Sequence, residues 1–230
     1  LVLLLPSVLV FQNRWLPGDD FGSSLWRILK IVTMFTVAHT ITFSLAGLGI
    51  LPLPPSKLVE SIIAISIALA ALHNIRPIAP NKEWAIAFGF GLFHGMGFAG
   101  LVQDLDIDRT TQLVSLLGRN VGIEIGQLII ILITFPGLFL LRRTKAYLPM
   151  MYAASIGLAV MSSLWVVERV FEVDIGFNGA VDTALQWPRS LVVVIALTAG
   201  VLVYRRVEEQ RGRLLALPNG ESSDTTDEAE

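Results

Sequence analysis

Long apolar stretches recur along the chain, separated by short breaks that carry proline, asparagine or charged residues. A helix needs about 20 apolar residues to cross the roughly 30 Å hydrocarbon core of a membrane. Stretches that reach or approach this length lie at about 25–50, 57–73, 83–103, 112–141, 149–171 and 189–205. The pattern therefore predicts six membrane-spanning helices.

The apolar run at residues 1–10 is too short to span a membrane, and we expect a partial helix that begins upstream of Leu1. The chain lacks the segments of about 10 residues with alternating apolar and polar positions that form membrane β-barrels. Helices are the other structure that can span a membrane. The predicted fold is all-α, a polytopic transmembrane helical bundle with six full spans and a partial one. Residues 1–210 would form the membrane domain. Residues 211–230, which are polar from Pro218 onward, would form a disordered cytoplasmic tail.

The composition fits this prediction, because 53% of the 230 residues are hydrophobic and only 16% are charged. Lipid and neighbouring helices are the expected partners. A net charge of −2 gives no basic face for nucleic acid. With no cysteine in the chain, any metal must bind through nitrogen and oxygen ligands.

Basic residues cluster on alternate connections, which the positive-inside rule assigns to the cytoplasm. These residues are Arg14, Arg27 and Lys30, then Arg76 and Lys82, then Arg142, Arg143 and Lys145, then Arg205 and Arg206. We therefore expect a protein of the bacterial inner (plasma) membrane, with the N-terminus outside and the C-terminus in the cytoplasm.

Polar residues inside three of the apolar stretches are the candidate functional residues. His39 and His94 each lie deep in such a stretch, and Asn120, Glu124 and Gln127 share one face of the 112–141 helix. An ionisable residue at membrane depth costs roughly 2.5–3.5 kcal/mol on insertion scales, so it is a functional-site hypothesis by default.

Structural interpretations of these residues remain open. His39 could simply bond a neighbouring helix, and Glu124 could form a salt bridge with Arg119 or a hydrogen bond with His94. Two sets of small residues, Gly91 with Gly95 and the stripe Gly118, Gly122 and Gly126, would let other helices approach closely. Glu60, His73 and Asn74, at the ends of the 57–73 stretch, are interpreted as interfacial residues without a ligand role.

Three runs in this order resemble the HupE/UreJ family of membrane proteins: 35–42 (FTVAHTIT), 88–99 (FGFGLFHGMGFA) and 119–127 (RNVGIEIGQ). The run 58–66 (LVESIIAIS) fits the same family, and the resemblance covers about residues 1–141. The family is associated with uptake of nickel, and sometimes cobalt, for hydrogenase and urease. Its members usually carry a further motif with histidine and aspartate, which would lie upstream of Leu1.

The resemblance and the polar residues together lead to a permease for a divalent transition metal, with Ni²⁺ favoured over Co²⁺ as the transported ion. His39, His94 and Glu124 would be primary ligands, and Asn120 and Gln127 would support them. No enzymatic activity is expected: without a Walker loop the chain would not hydrolyse ATP, and no serine stands in a nucleophile elbow. The permease needs no prosthetic group.

Other functions stay open. The chain could be a non-transporting membrane subunit or assembly factor, working as a homo-oligomer or in a membrane complex, in which the polar residues pack helices or a partner. Alternatively, His39 and His94 could be axial ligands of a b-type haem.

Overall fold

The computed structural model describes residues 2–103, 108–173 and 175, with isolated positions between 200 and 210. The chain divides into two compact units, Leu1–Leu185 and Gln186–Glu230, and the fold below is that of the first. The predicted span at 189–205 and the predicted tail at 211–230 lie outside the continuously described residues.

Five α-helices make up most of the described part of the first unit. They are α1 (Phe21–Gly47), α2 (Ser56–Ile75), α3 (Glu83–Gln103), α4 (Arg109–Leu141) and α5 (Tyr147–Phe171). Each begins and ends within about one helical turn of a predicted apolar stretch. Four of them, α1, α2, α5 and the Thr110–Leu141 part of α4, are long and apolar enough to cross a membrane. The helical membrane fold is therefore confirmed, whereas the count of six spans is not.

The N-terminal segment differs from the predicted partial α-helix. Val2–Val8 forms a 3-10 helix, and it leads into an antiparallel hairpin of β1 (Leu9–Phe11) and β2 (Trp15–Pro17). Pro6 lacks an amide hydrogen, and Asn13 turns the chain with a positive φ of 59°. Continuation of an α-helix is thereby prevented, so the prediction of an all-α fold is wrong at this segment.

Glycine decides how closely the two central helices pack. A Cβ atom on Gly91 would collide with the backbone oxygen of Phe35, and one on Gly95 would collide with that of His39. Helices α1 and α3 therefore pack backbone to backbone, as the spacing of these glycines predicts. Helix α2 packs mainly against α5, and α4 lies against α1.

Contacts between connections define one end of the bundle, which we call the basic end. The Trp15 indole donates to the backbone oxygen of Asn74 at 3.0 Å, and Arg142 Nε donates to that of Gly18 at 2.6 Å. The hairpin, the start of α1 and the ends of α2 and α4 therefore meet here. The basic residues of the first three basic connections consequently lie at the same end of the bundle, as the charge pattern predicts.

Candidate intramembrane polar site

The predicted site residues lie on three helices: His39 on α1, His94 on α3, and Asn120, Glu124 and Gln127 on α4. Helices α1 and α4 are joined by hydroxyl-to-amide hydrogen bonds along their contact. Thr36 Oγ1 donates to Gln127 Oε1 at 2.9 Å, and Thr40 Oγ1 donates to Asn120 Oδ1 at 3.2 Å. We call this contact the polar seam.

Glu124 lies on α4 between the two amide residues of the polar seam. Its Oε2 atom is buried and has no hydrogen-bond partner in the part of the chain that the structure describes. Arg119, a suggested partner, instead holds its guanidinium over the rings of Phe43 and Phe98, at 5.7 and 5.0 Å from their centroids. The described ion pairs therefore leave Glu124 without a neutralising cation.

His39 is 3% exposed and is surrounded by aromatic rings. Its imidazole lies 6.1, 5.6 and 6.3 Å from the ring centroids of Phe35, Phe43 and Phe98. Asn120 also interacts with this imidazole. The Nδ1 atom of His39, however, has no hydrogen-bond partner among the described residues. Like Glu124, His39 thus has a buried polar atom that could bind a ligand.

His94 belongs to a second polar group, which joins α3 to α2. Its Nε2 atom lies 3.0 Å from Ser66 Oγ, and the same hydroxyl donates its single proton to the backbone oxygen of Ile63 at 2.7 Å. While the Ser66 proton bonds Ile63, the hydroxyl can only accept from His94 Nε2, and this tautomer has the lone pair of the imidazole on Nδ1.

A cavity of about 80 Å³ adjoins His94. Ser66 and Gln127 also line it, and the remaining wall is apolar, with Leu3 and Phe35 among its residues. The cavity therefore brings together two of the predicted ligands, His94 and Gln127. His39, Asn120 and Glu124 are not among the residues that line it.

The aromatic ring of Phe35 contacts both histidines, at 6.1 Å from His39 and 5.2 Å from His94 between ring centroids. Within the described ranges, no three histidine, aspartate or glutamate side chains are grouped closely enough to hold one metal ion. The five predicted ligands thus form two neighbouring groups, and their joint role as a metal site stays a prediction.

Sequence reasoning missed Ser66 and Phe35 as parts of the site. Ser66 stands in an apolar helix without an ionisable neighbour, so only the fold reveals that it faces His94. His73 and Asn74, interpreted as interfacial, are 1% and 0% exposed. His73 lies 3.8 Å from Glu83, and Asn74 donates to Ser155 at 3.2 Å, so both are enclosed by protein.

Long apolar helices around buried histidine, carboxylate and amide side chains define a polytopic membrane protein with an intramembrane polar site. Residues 1–169 match the family described as HupE / UreJ protein, so the chain belongs to this family, and the match extends beyond the 1–141 region of the predicted resemblance. No curated protein and no solved structure matches the chain. The family is a transporter-type family related to metal transport, not an enzyme family.

Proposed function

We propose that this protein is a permease for a divalent transition metal, with Ni²⁺ as the favoured cargo. His39, His94 and Glu124 serve as primary ligands, and Asn120 and Gln127 supply supporting oxygens. Imidazole and carboxylate groups suit nickel, and they also suit cobalt.

The observation that carries this proposal concerns two of the five buried side-chain atoms that have no hydrogen-bond partner among the described residues: His39 Nδ1 and Glu124 Oε2 belong to predicted ligands on the facing helices α1 and α4. Burial without a partner is costly for an imidazole nitrogen and more costly for a carboxylate oxygen. A cation bound by these atoms would offset that cost, and both residues belong to the region where α1 meets α4.

His94 supports the proposal in a second way. Its Nε2–H faces Ser66, so Nδ1 keeps a lone pair for a cation, and the orientation of the ring is set by that hydrogen bond. The cavity of about 80 Å³ beside it is large enough for a small hydrated group. Gln127, which lines the cavity and also bonds Thr36, connects this group with the polar seam.

To bind one metal ion together, the predicted ligands would have to move closer to each other, because no three histidine, aspartate or glutamate side chains converge in the described residues. We place that movement in α4, which contains Pro136 and is bonded to α1 by exchangeable hydroxyl–amide pairs. The membrane potential, worth about 2.3 kcal/mol per charge per 100 mV, or coupled protons would drive the cation.

The proposed topology completes this transport function. The basic end faces the cytoplasm of the bacterial inner membrane, and the chain makes six full spans after a partial N-terminal one, so that the N-terminus is outside and the C-terminus is cytoplasmic. Labelling of Arg76→Cys and Lys57→Cys in intact cells with an impermeant thiol reagent tests this orientation. We expect only the cysteine at position 57 to react, because it lies on the outer side, and the opposite result would contradict the orientation.

Uptake of radioactive nickel by proteoliposomes tests the ligand assignment. We expect His39→Ala, His94→Ala and Glu124→Gln to lower the uptake rate about ten-fold or more, since even supporting groups around a metal contribute 10–100-fold. Glu172→Gln is the matched control, because Glu172 is 75% exposed and pairs with Lys57 outside the site. Unchanged uptake in the His94 and Glu124 variants would refute the ligand assignment.

A non-transporting subunit is the second candidate function. The hydrogen bonds from Thr36 and Thr40 favour it, because such bonds also hold helices together without any ligand. Co-purification with a large complex, together with no stoichiometric nickel bound to the purified protein, would favour this role over the permease.

A further inference from the structure

A cleft of about 210 Å³ opens at the basic end, between the first turns of α1 and α3. Ser23, Trp26, Arg27 and Lys30 form its α1 wall, and Asn81 and Trp84 stand opposite. This cleft is separate from the cavity beside His94, and the proposed transport function assigns no role to it.

Two cations line the cleft without a carboxylate partner. Neither Arg27 nor Lys30 has an aspartate or glutamate oxygen within ion-pair distance in the described part of the chain. Glu83, which also lines the cleft, accepts a hydrogen bond from the Asn81 amide at 3.0 Å and lies 3.8 Å from His73 Nε2. The cleft therefore has a net positive charge that an anion would balance.

The two cations are also held in place. Arg27 Nη1 donates to the backbone oxygens of Ser7 and Leu9, which fixes the guanidinium against the N-terminal segment. Lys30 Nζ lies 4.6 Å from the centroid of the Trp84 ring, within the range of a cation–π contact. A site whose donors are oriented in advance loses little conformational entropy on binding.

The tryptophans indicate where the cleft lies relative to lipid. Trp26 and Trp84 are 68% and 37% exposed, and they stand near the starts of α1 and α3. Exposed tryptophans at the ends of membrane helices typically lie at the headgroup level of the bilayer. The cleft therefore lies at the depth of the lipid phosphate groups, which are the anions nearest to it.

We propose that this cleft binds the phosphate group of an anionic phospholipid. Arg27 supplies a guanidinium that can hold two phosphate oxygens, Lys30 supplies a point charge, and the exposed indoles pack against the glycerol and upper acyl region. The site is independent of metal transport, so its test uses no metal.

Native mass spectrometry of protein extracted from vesicles with equal amounts of phosphatidylglycerol and phosphatidylcholine tests the proposal. We expect one retained phosphatidylglycerol per chain in the wild type and about five-fold less in Lys30→Gln. Lys82→Gln is the matched control, since it removes the same charge at the same end without lining the cleft. Equal retention in wild type and Lys30→Gln, or an equal loss in Lys82→Gln, would overturn the proposal.

A second variant protects the test against misfolding. Arg27→Lys keeps the charge but loses the planar fork, so retention of phosphatidylglycerol should fall less than in Arg27→Gln. If Arg27→Lys and Arg27→Gln lose it equally, the phosphate is not held by charge at this residue. Inorganic phosphate added alone distinguishes the two sources of this chemistry: weak displacement of the lipid supports the proposal, and full displacement at equal concentration contradicts it.

Discussion

At the scale of single residues, hydrogen bonding decides what each buried polar group can do. While Ser66 donates to Ile63, its hydroxyl can only accept from His94, and this arrangement favours the tautomer with the proton on Nε2. The sequence alone identifies His94 as an unusual residue for an apolar helix. It does not identify Ser66 as its partner, because the two residues lie on different helices.

Gly95 is the residue at which the smallest change should have a large effect. A Cβ atom here would overlap the backbone of His39 and Phe43 as well as the Thr42 hydroxyl, and backbone atoms cannot rotate away. We therefore expect Gly95→Ala to destabilise the protein by about 1–3 kcal/mol. Thermal unfolding in detergent measures this change.

Gly89, on the same helix, provides the matched control. An added Cβ would meet nothing within 4 Å there. Gly89→Ala should leave stability unchanged or raise it by up to about 1 kcal/mol, because alanine favours a helix. Equal stabilities of the two variants would contradict the close packing of α1 and α3.

At the scale of elements, the start of α4 is determined by its local sequence, whereas the packing of its surface depends on other helices. Asp108 caps its N-terminus by accepting from the amides of Thr110 and Thr111, both at 3.0 Å. Its predicted glycine stripe, 118, 122 and 126, meets nothing within 4 Å of an added Cβ. Close approach of another helix to this stripe therefore stays a prediction.

The cap should make the stability of α4 depend on pH. The hydrogen bond from the Thr111 hydroxyl, followed by those from backbone amides, lowers the pKa of Asp108 below its ordinary value. A lowered pKa in the folded state contributes stability above about pH 4, and this contribution is lost as the pH falls through the folded-state pKa. Asp108→Ala should therefore lower the unfolding temperature at pH 7, by an amount that shrinks in acid.

Asp19→Ala is the control for that measurement, since the Asp19 side chain is 98% exposed and lies 3.4 Å from Arg143. Its unfolding temperature should match the wild type throughout the titration. A difference between Asp108→Ala and wild type that did not change with pH would argue against a charged cap.

At the scale of the whole molecule, side chains of the basic end connect segments far apart in sequence. Arg142, at the end of α4, donates to the backbone oxygens of Gly18 and Asp19 and covers the Phe139 ring. Tyr147 donates to the backbone oxygen of Leu5 at 2.5 Å. These bonds fix the N-terminal segment to the bundle, and through Leu3 that segment closes the cavity beside His94.

Arg142→Lys should weaken this connection. A lysine keeps the charge but cannot donate to several carbonyls in one plane, so we expect a loss of about 1–3 kcal/mol in unfolding free energy. The neighbouring Arg143→Lys is the control, because Arg143 is 61% exposed and should tolerate the change. Parallel thermal melts compare the two, and an equal loss would show that Arg142 has no special role.

Much of the helical fold could be predicted because each helix is recorded locally, in a run of apolar residues of sufficient length. The N-terminal segment could not, since Val2–Val8 looks equally apolar and its shape depends on Pro6 and on contacts with Tyr147 and Arg27. The position of His73 and Asn74 at a helix end predicts that they lie at the membrane interface, and that stays a prediction. Only the fold shows that the hairpin and α5 enclose them, because these segments are distant in sequence.

By itself, the sequence determined the membrane class, the helices α1 to α5, and the HupE/UreJ motifs with their polar residues. The reason is that a helix in lipid needs a long apolar run, in which each polar residue is costly and therefore conspicuous. Only the tertiary structure decided which of these polar residues meet. It paired His94 with Ser66 and bonded Thr36 and Thr40 to α4, and it left His39 Nδ1 and Glu124 Oε2 buried without a hydrogen-bond partner among the described residues. Helix rotation and approach depend on glycine contacts between distant segments, and these contacts exist only once the bundle has assembled.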